Sequence, residues 1–201
     1  MIVYGASGHG KVIIEILENI DEPHIEIWDD ADKPDVWQYK VKKPLGKGAY
    51  IADTMVISIG VNATRKKVAE RFSDVVTFGT AIHSATNISK RAAIGEGTVI
   101  MAGVSINADT KIGKHCIVNT SASIDHDCVL GDYSHISPNA TLSGDVHVGE
   151  GTHVGSGASV IQGIRIGKWC TIGAGAVVIK DIPDNATAVG NPAKVIKIKQ
   201  A

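Results

Sequence analysis

Nothing in this chain of 201 residues provides an apolar run near the ~20 residues that cross a bilayer as a helix. The start runs directly into the strand-like Ile2-Val3-Tyr4 with no basic leader, so a cytoplasmic protein is expected. An excess of charge is missing too. Twenty Lys and Arg face 21 Asp and Glu, a formal net charge of -1, which leaves no global field to draw the chain to nucleic acid or to anionic lipid. Cysteine is scarce, and Cys116, Cys128 and Cys170 form no C-x-x-C pair for zinc or redox work. A hydroxyl is absent where one would matter. Gly5, Gly10 and Lys11 fill the first seven places of G-x-x-x-x-G-K-[ST], but the eighth is Val12, which cannot hold Mg²⁺. Nucleotide hydrolysis is excluded on that ground, and because no aspartate ends an apolar strand as a Walker B partner would.

What the first 80 residues do contain is alternation of strand and helix. Met1–Tyr4 reads as a strand, Gly8–Asn19 as a helix with Val12, Ile13, Ile16 and Leu17 inward, and Ile25–Trp28 as a second strand. A looser stretch spans Val36–Lys47, with a turn near Pro44. Thr54–Ile59 forms another strand, Ala63–Phe72 a helix and Val75–Phe78 a last strand. This is a small Rossmann-like α/β domain, expected over residues 1–80. The loops after its first strand and after Thr54–Ile59 should meet at the carboxyl edge, where such sheets bind ligands. Gly5, Gly8 and Gly10 let the backbone turn sharply and present amides at a helix N-terminus, a place that favours anions.

From Ile82 to Val178 every sixth residue is Ile, Leu or Val, and the frame never slips. Four places after each lies a small or modest residue such as Thr98, Ala122 or Ser134. Glycine often follows the aliphatic directly, as at Gly95, Gly113 and Gly131. Period six fits neither an α-helix nor plain strand alternation. It suits a solenoid of short strands and tight corners, three hexapeptides per triangular coil, with aliphatics stacked inside. Residues 81–201 are therefore expected to form a parallel β-helix with a C-terminal cap, its five to six coils rising ~25 Å. The three cysteines all occupy the fifth place and are read as small core side chains.

The pattern and its length resemble the left-handed parallel β-helix of hexapeptide-repeat acyltransferases. The segments GASGHGKV, WDD and IGVNATRKK resemble, more narrowly, the N-terminal domain of the sialic acid O-acetyltransferase and nucleotide-linked 4-amino-sugar N-acetyltransferase group. The resemblance implies an acetyl-CoA-dependent N-acetyltransferase acting on the 4-amino group of a UDP- or GDP-linked amino-deoxy sugar. It also implies a homotrimer with acetyl-coenzyme A in the groove between subunits. O-acetylation of sialic acid or another sugar hydroxyl is the alternative by the same machinery, and a non-catalytic sugar-nucleotide scaffold is the third. By the resemblance, Gly8 and the loop Gly60–Asn62 approach the nucleotide backbone, Asp29 and Asp30 take base or ribose donors, and Arg65 faces phosphate. Zinc carbonic anhydrases that share the coil use two histidines five positions apart. No two histidines here have that spacing, and no metal is expected.

Acetyl transfer to an amine needs a group that removes a proton as nitrogen attacks the thioester carbon, and imidazole suits that work near neutral pH. His126, flanked by Asp125 and Asp127, falls on an outward place of its hexapeptide. It is the candidate base, with Asp127 as the orienting acid and Asp125 as competitor. His135 lies half a coil away, so one cleft should combine His126 of one chain with His135 of a neighbour. His135 and Asn119 resemble the family positions that contact the acetyl carbonyl or the acceptor sugar. Gly144, one coil beyond His126, is placed to offer an amide to the oxyanion. In the final turns Ala174, Gly175 and Gly190 could admit coenzyme A closely, and Lys194 and Lys197 could meet its phosphates; a solenoid cap would account for the same segment.

Overall fold

The computed structural model describes residues 1–44 and 53–199. The expected stretch Val36–Lys47 therefore runs partly into 45–52, outside the described residues. Its described portion contributes one short strand.

The N-terminal unit is a five-stranded parallel sheet. Its elements are β1 (Ile2–Tyr4), α1 (Gly8–Asn19), β2 (Glu26–Trp28), β3 (Val41–Lys42), β4 (Thr54–Ile57), α2 (Asn62–Phe72) and β5 (Thr77–Phe78). The spatial order β3-β2-β1-β4-β5 makes the chain leave β1 toward one side and return through β4 on the other. That reversal is a topological switch point, and it opens a crevice beyond the carboxyl ends of β1 and β4. Ser58 bridges the two ends: its Oγ donates to the carbonyl oxygen of Tyr4 at 2.9 Å, inside the unit. Gly5 has φ +117°, and a Cβ there would lie 2.8 Å from the Ser58 Oγ, so only glycine turns this corner. Helix α1 buries Ile13, Ile14, Ile16 and Leu17, with Val12 only partly covered. The apolar arc is wider than one helix face because α1 is packed between the sheet and the coil.

Beyond it, two-residue strands from Ala81–Ile82 to Val177–Val178 repeat every six residues and pair in parallel with those eighteen positions away. They build three sheets, and the chain closes with the strands Ala186–Val189 and Lys194–Ile198 as an antiparallel hairpin on the last coil. The inward ladder Ile100, Val118, Ile136, Val154 and Ile172 is at most 1% exposed. Burying one such side chain contributes ~1.5–3 kcal/mol, so the column is the main source of the coil's stability. All three cysteines are buried among them.

A second periodicity was not anticipated. Every sixth residue from Gly97 to Gly175 turns a corner with φ between 52° and 74°. Glycine, Asn and Asp tolerate this conformation, but His115, Tyr133 and Trp169 adopt it too. They share one corner, which at eighteen-residue spacing reads His115, Tyr133, Gly151, Trp169, and His115 stacks on Tyr133 with centroids 5.3 Å apart. The contact offsets a backbone strain of order 1–3 kcal/mol.

Candidate active site and substrate cavity

One outward column of the coil explains where the α/β unit sits. At eighteen-residue spacing it reads Ala81, Val99, Ile117, His135, His153, Thr171. The first three are buried apolar residues that join Ile13, Ile14 and Leu17 of α1 in one core. Above them the column becomes polar, and there the helix gives way to a cavity of about 900 Å³. Its walls come from the switch point (Tyr4, Gly5, Ser7, Asp29, Asp30), from the start of α2 (Gly60–Thr64) and from the coil (His135, His153, Trp169).

Both helices begin on this cavity, and neither is capped by a side chain. Ser7 makes no capping bond, and Val61 has no polar group to offer. The first internal bonds are Lys11 N–H to Ser7 and Arg65 N–H to Val61, so the amides of residues 8–10 and 62–64 have no backbone acceptor among the described residues. A Cβ added at Gly8 or Gly60 would meet nothing within 4 Å. These glycines thus leave open space beside free donors.

The carboxylates on the wall are partly engaged. Asp29 accepts from the amides of Ala6 and Ala31, each at 2.8 Å, tying the β1–α1 turn to the end of β2. Asp30 accepts from the Tyr4 hydroxyl at 2.5 Å and from Arg71 Nη1 at 2.8 Å. The Tyr4 bond, reinforced by Arg71, holds the Asp30 carboxyl below its ordinary range. Asp29 and Asp30 both line the cavity.

Arg65 departs from the sequence-based expectation. It is 1% exposed and does not line the cavity. Its Nε donates to the carbonyl oxygen of His115 at 2.7 Å, Nη1 to that of Ile59 at 2.8 Å, and Nη2 to that of Tyr133 at 2.7 Å and to Asn62 Oδ1 at 2.8 Å. The guanidinium fork is consumed in fastening α2 to the coil. Asn62 shares the task, its Nδ2 donating to Gly151 O at 2.9 Å, so only its backbone amide remains for a ligand. The resemblance of IGVNATRKK placed Arg65 toward phosphate, whereas α2 turns it inward onto the coil.

The buried cation also acts on the histidines nearby. Burial, then repulsion from His153 and Arg65, lowers the His135 pKa to about 3. His9 of α1, which the sequence reading passed over, is lowered to about 4 by burial and by Arg65. These rings are neutral at pH 7 and act through hydrogen bonds. Thr120 N–H donates to Asn119 Oδ1 at 2.8 Å, which turns Asn119 Nδ2 toward His135 Nε2 at 3.2 Å. Nε2 is therefore the acceptor and Nδ1 carries the proton. The eighteen-residue column was the signal that would have found His153 and the cavity wall.

His126 lies elsewhere, on the corner between the strands Ser123–Ile124 and Val129–Leu130. Asp127 Oδ2 accepts from its Nδ1 at 2.8 Å, whereas Asp125 Oδ2 is 4.0 Å from Nε2. Asp125 is engaged instead by the His126 amide at 2.8 Å and by Asn107 Nδ2 at 2.7 Å. Asp127 is thus the orienting carboxylate. The hydrogen bond to Asp127, with the charge of Asp125, raises the His126 pKa above its ordinary value. The ring lies over Gly144, where a Cβ would come within 2.6 Å of His126 Cε1. Gly144 N–H donates to no backbone carbonyl among the described residues. Ala174 and Gly175 stand on another corner, at the last coil, and Gly175 opens onto free space. Gly190 turns the terminal hairpin with φ +99°, and Lys194 and Lys197 lie on its exposed last strand. No single chain brings His126 together with the cavity or with the hairpin.

A hexapeptide coil with an Asp-oriented imidazole on its edge defines an acyltransferase of the parallel β-helix class. Two family models match, the PglD N-terminal domain over residues 1–72 and the bacterial transferase hexapeptide (six repeats) over 109–144 and 145–180. The chain belongs to the hexapeptide-repeat sugar acetyltransferases that carry a PglD-type N-terminal domain. Among solved structures, PerB from Caulobacter crescentus, crystallised with CoA and GDP-perosamine, is 38% identical, with TM-score 0.90 and coverage of 98% of this chain and 96% of that one. The acetyltransferase domain of PglB from Neisseria gonorrhoeae is 35% identical at TM-score 0.90, over 97% and 98% of the two chains. WeeI from Acinetobacter baumannii is 30% identical at TM-score 0.89, over 97% and 98%. A search of curated protein sequences finds no match. Among the described residues, no helix is long and apolar enough to cross a membrane.

Proposed function

We propose that this protein transfers the acetyl group of acetyl-CoA to the 4-amino group of a UDP- or GDP-linked amino-deoxy sugar. The observation that carries the reading is the 2.8 Å bond that His126 Nδ1 donates to Asp127 Oδ2, which leaves Nε2 as a free proton acceptor at the coil edge. The amine nitrogen attacks the thioester carbon while His126 Nε2 takes its proton. Gly144 N–H stabilises the oxyanion. The C–S bond then breaks, and the proton passes from His126 to the departing thiolate. PerB's complex with CoA and GDP-perosamine supports the choice of substrates.

The α/β domain, residues 1–80, holds the nucleotide through Gly8, Asp29, Asp30, Gly60 and the Asn62 amide. The coil domain, 81–201, supplies the chemistry. His135 and Asn119 meet the acceptor sugar or the acetyl carbonyl. Ala174, Gly175, Gly190, Lys194 and Lys197 fit coenzyme A, with small residues and open backbone for the pantetheine and ammonium groups for phosphate. Because His126 stands on the corner opposite the strand face that bears the cavity, a homotrimer completes each site between neighbours. The cytoplasm, where acetyl-CoA is available, is the place of action.

The test is thiol release from acetyl-CoA with UDP- and GDP-linked 4-amino sugars and with sialic acid as acceptors. The expected result is turnover with one of the amino sugars at least a hundredfold above sialic acid. Preference for the hydroxyl acceptor would replace this reading with O-acetylation.

A further inference from the structure

Two lysines line the cavity, Lys33 from the β2–β3 connection and Lys199 from the end of the coil's terminal strand. Lys33 sits with Asp29 and Asp30, whose charges oppose any anion there. Lys199 is differently placed. Its backbone N–H donates to Asn185 O at 3.0 Å, and Asn185 in turn donates to Lys168 O at 2.8 Å, which anchors the residue beside Trp169 and Thr171 on the coil wall. The start of α2 forms the wall that packs on Gly151, one coil below Trp169.

This end of the cavity therefore collects positive potential from Lys199 and from the uncapped N-terminus of α2, which contributes free amides and the positive end of its dipole. The second indication of a ligand is His135. It is only 9% exposed, it lines the cavity, and its protonated Nδ1, with the Gly60 carbonyl nearby, makes no hydrogen bond of good geometry. A buried donor so weakly paired is open to an acceptor from outside the chain.

We infer that Lys199 is a substrate-positioning residue, its ammonium closing the α2 N-terminus over the phosphate that lies nearer the sugar in a nucleoside diphosphate-linked substrate. This rests on the nucleotide-sugar reading above and deepens it. The terminal strand then serves two ligands: Lys194 and Lys197 belong to the coenzyme A end, while Lys199 reaches into the acceptor cavity of its own chain. Lysine suits the role as a mobile point charge that needs no bidentate geometry.

The experiment is calorimetric titration of the full chain with UDP, GDP, UMP, GMP and CMP, in wild type, Lys199→Ala and Lys199→Arg. UDP or GDP should bind roughly tenfold or more tightly than its monophosphate. Lys199→Ala should weaken the diphosphate about five- to twentyfold and the monophosphate less than twofold, with acetyl-CoA binding unchanged. Lys199→Arg should restore most of the loss. A Lys199→Ala protein that binds the diphosphate like wild type, or that loses mono- and diphosphate equally, overturns the inference and leaves the nucleotide-sugar reading standing. Absence of binding by every nucleotide in wild type removes both.

Discussion

Replacing His126 by alanine should lower kcat about 10²- to 10⁴-fold while leaving the dissociation constants of acetyl-CoA and of the nucleotide sugar within twofold, because only proton removal is lost. The side chain is exposed on its corner and holds no core contact, so the variant should melt with the wild type. The pH dependence adds a sign. The base works when neutral, so kcat/KM should fall as pH drops through the His126 pKa. Asp127 and Asp125 raise that pKa, which places the fall above the ordinary imidazole value. Asp127→Asn removes the largest cause, and its acidic limb should shift to lower pH along with a loss of rate from the misoriented ring. An acidic limb that stays in place in Asp127→Asn would assign the titration to another group.

Arg65→Ala should destabilise the protein by about 3–5 kcal/mol, since the carbonyls of His115, Ile59 and Tyr133 all lose a donor inside the junction. For a chain of this length that is roughly a 10 °C fall in Tm. Burial lowers the guanidinium pKa to about 10, so the charge persists at neutral pH and the full set of charged bonds is present there. The coil has its own aliphatic ladder, so the loss should concentrate in the α/β unit, and hydrogen exchange should rise in α2 and β5 before it rises in the coil. Arg65→Lys should recover little, because one ammonium cannot span carbonyls that the planar fork reaches from three nitrogens. Unchanged melting with weakened nucleotide binding would instead return Arg65 to the phosphate contact that sequence reasoning assigned it.

The architecture could be read in advance because its causes are local and periodic. A buried aliphatic every sixth residue leaves few folds to choose from, and Gly8–Asn19 carries an apolar face at helical spacing that marks α1 directly. The orientation of Arg65 could not be read, since nothing in NATRKK distinguishes a lysine that reaches Glu150, as Lys66 does at 2.6 Å, from an arginine that turns inward. That distinction is made by residues 50 and more positions away. The column from Ala81 to Thr171 is an intermediate case. Its change from apolar to imidazole was visible at eighteen-residue spacing, but its meaning required knowing that α1 covers only the lower coils. The choice of Asp127 over Asp125 needed the left-handed corner, where φ of 59° turns the Asp127 carboxylate back onto the His126 ring.

Under the proposed function, each site is formed by His126 of one chain and the cavity of its neighbour, because in one chain the two stand on a coil corner and on the strand face opposite it. Gly60→Trp blocks the cavity from a position whose Cβ faces open space, and His126→Ala removes the base; each variant alone should be inactive. Unfolded and refolded together in equal amounts, they should regain about a quarter of wild-type activity, the share of interfaces in which an intact cavity meets an intact imidazole. Mixed oligomers with no activity above that of either variant would contradict a site shared between subunits.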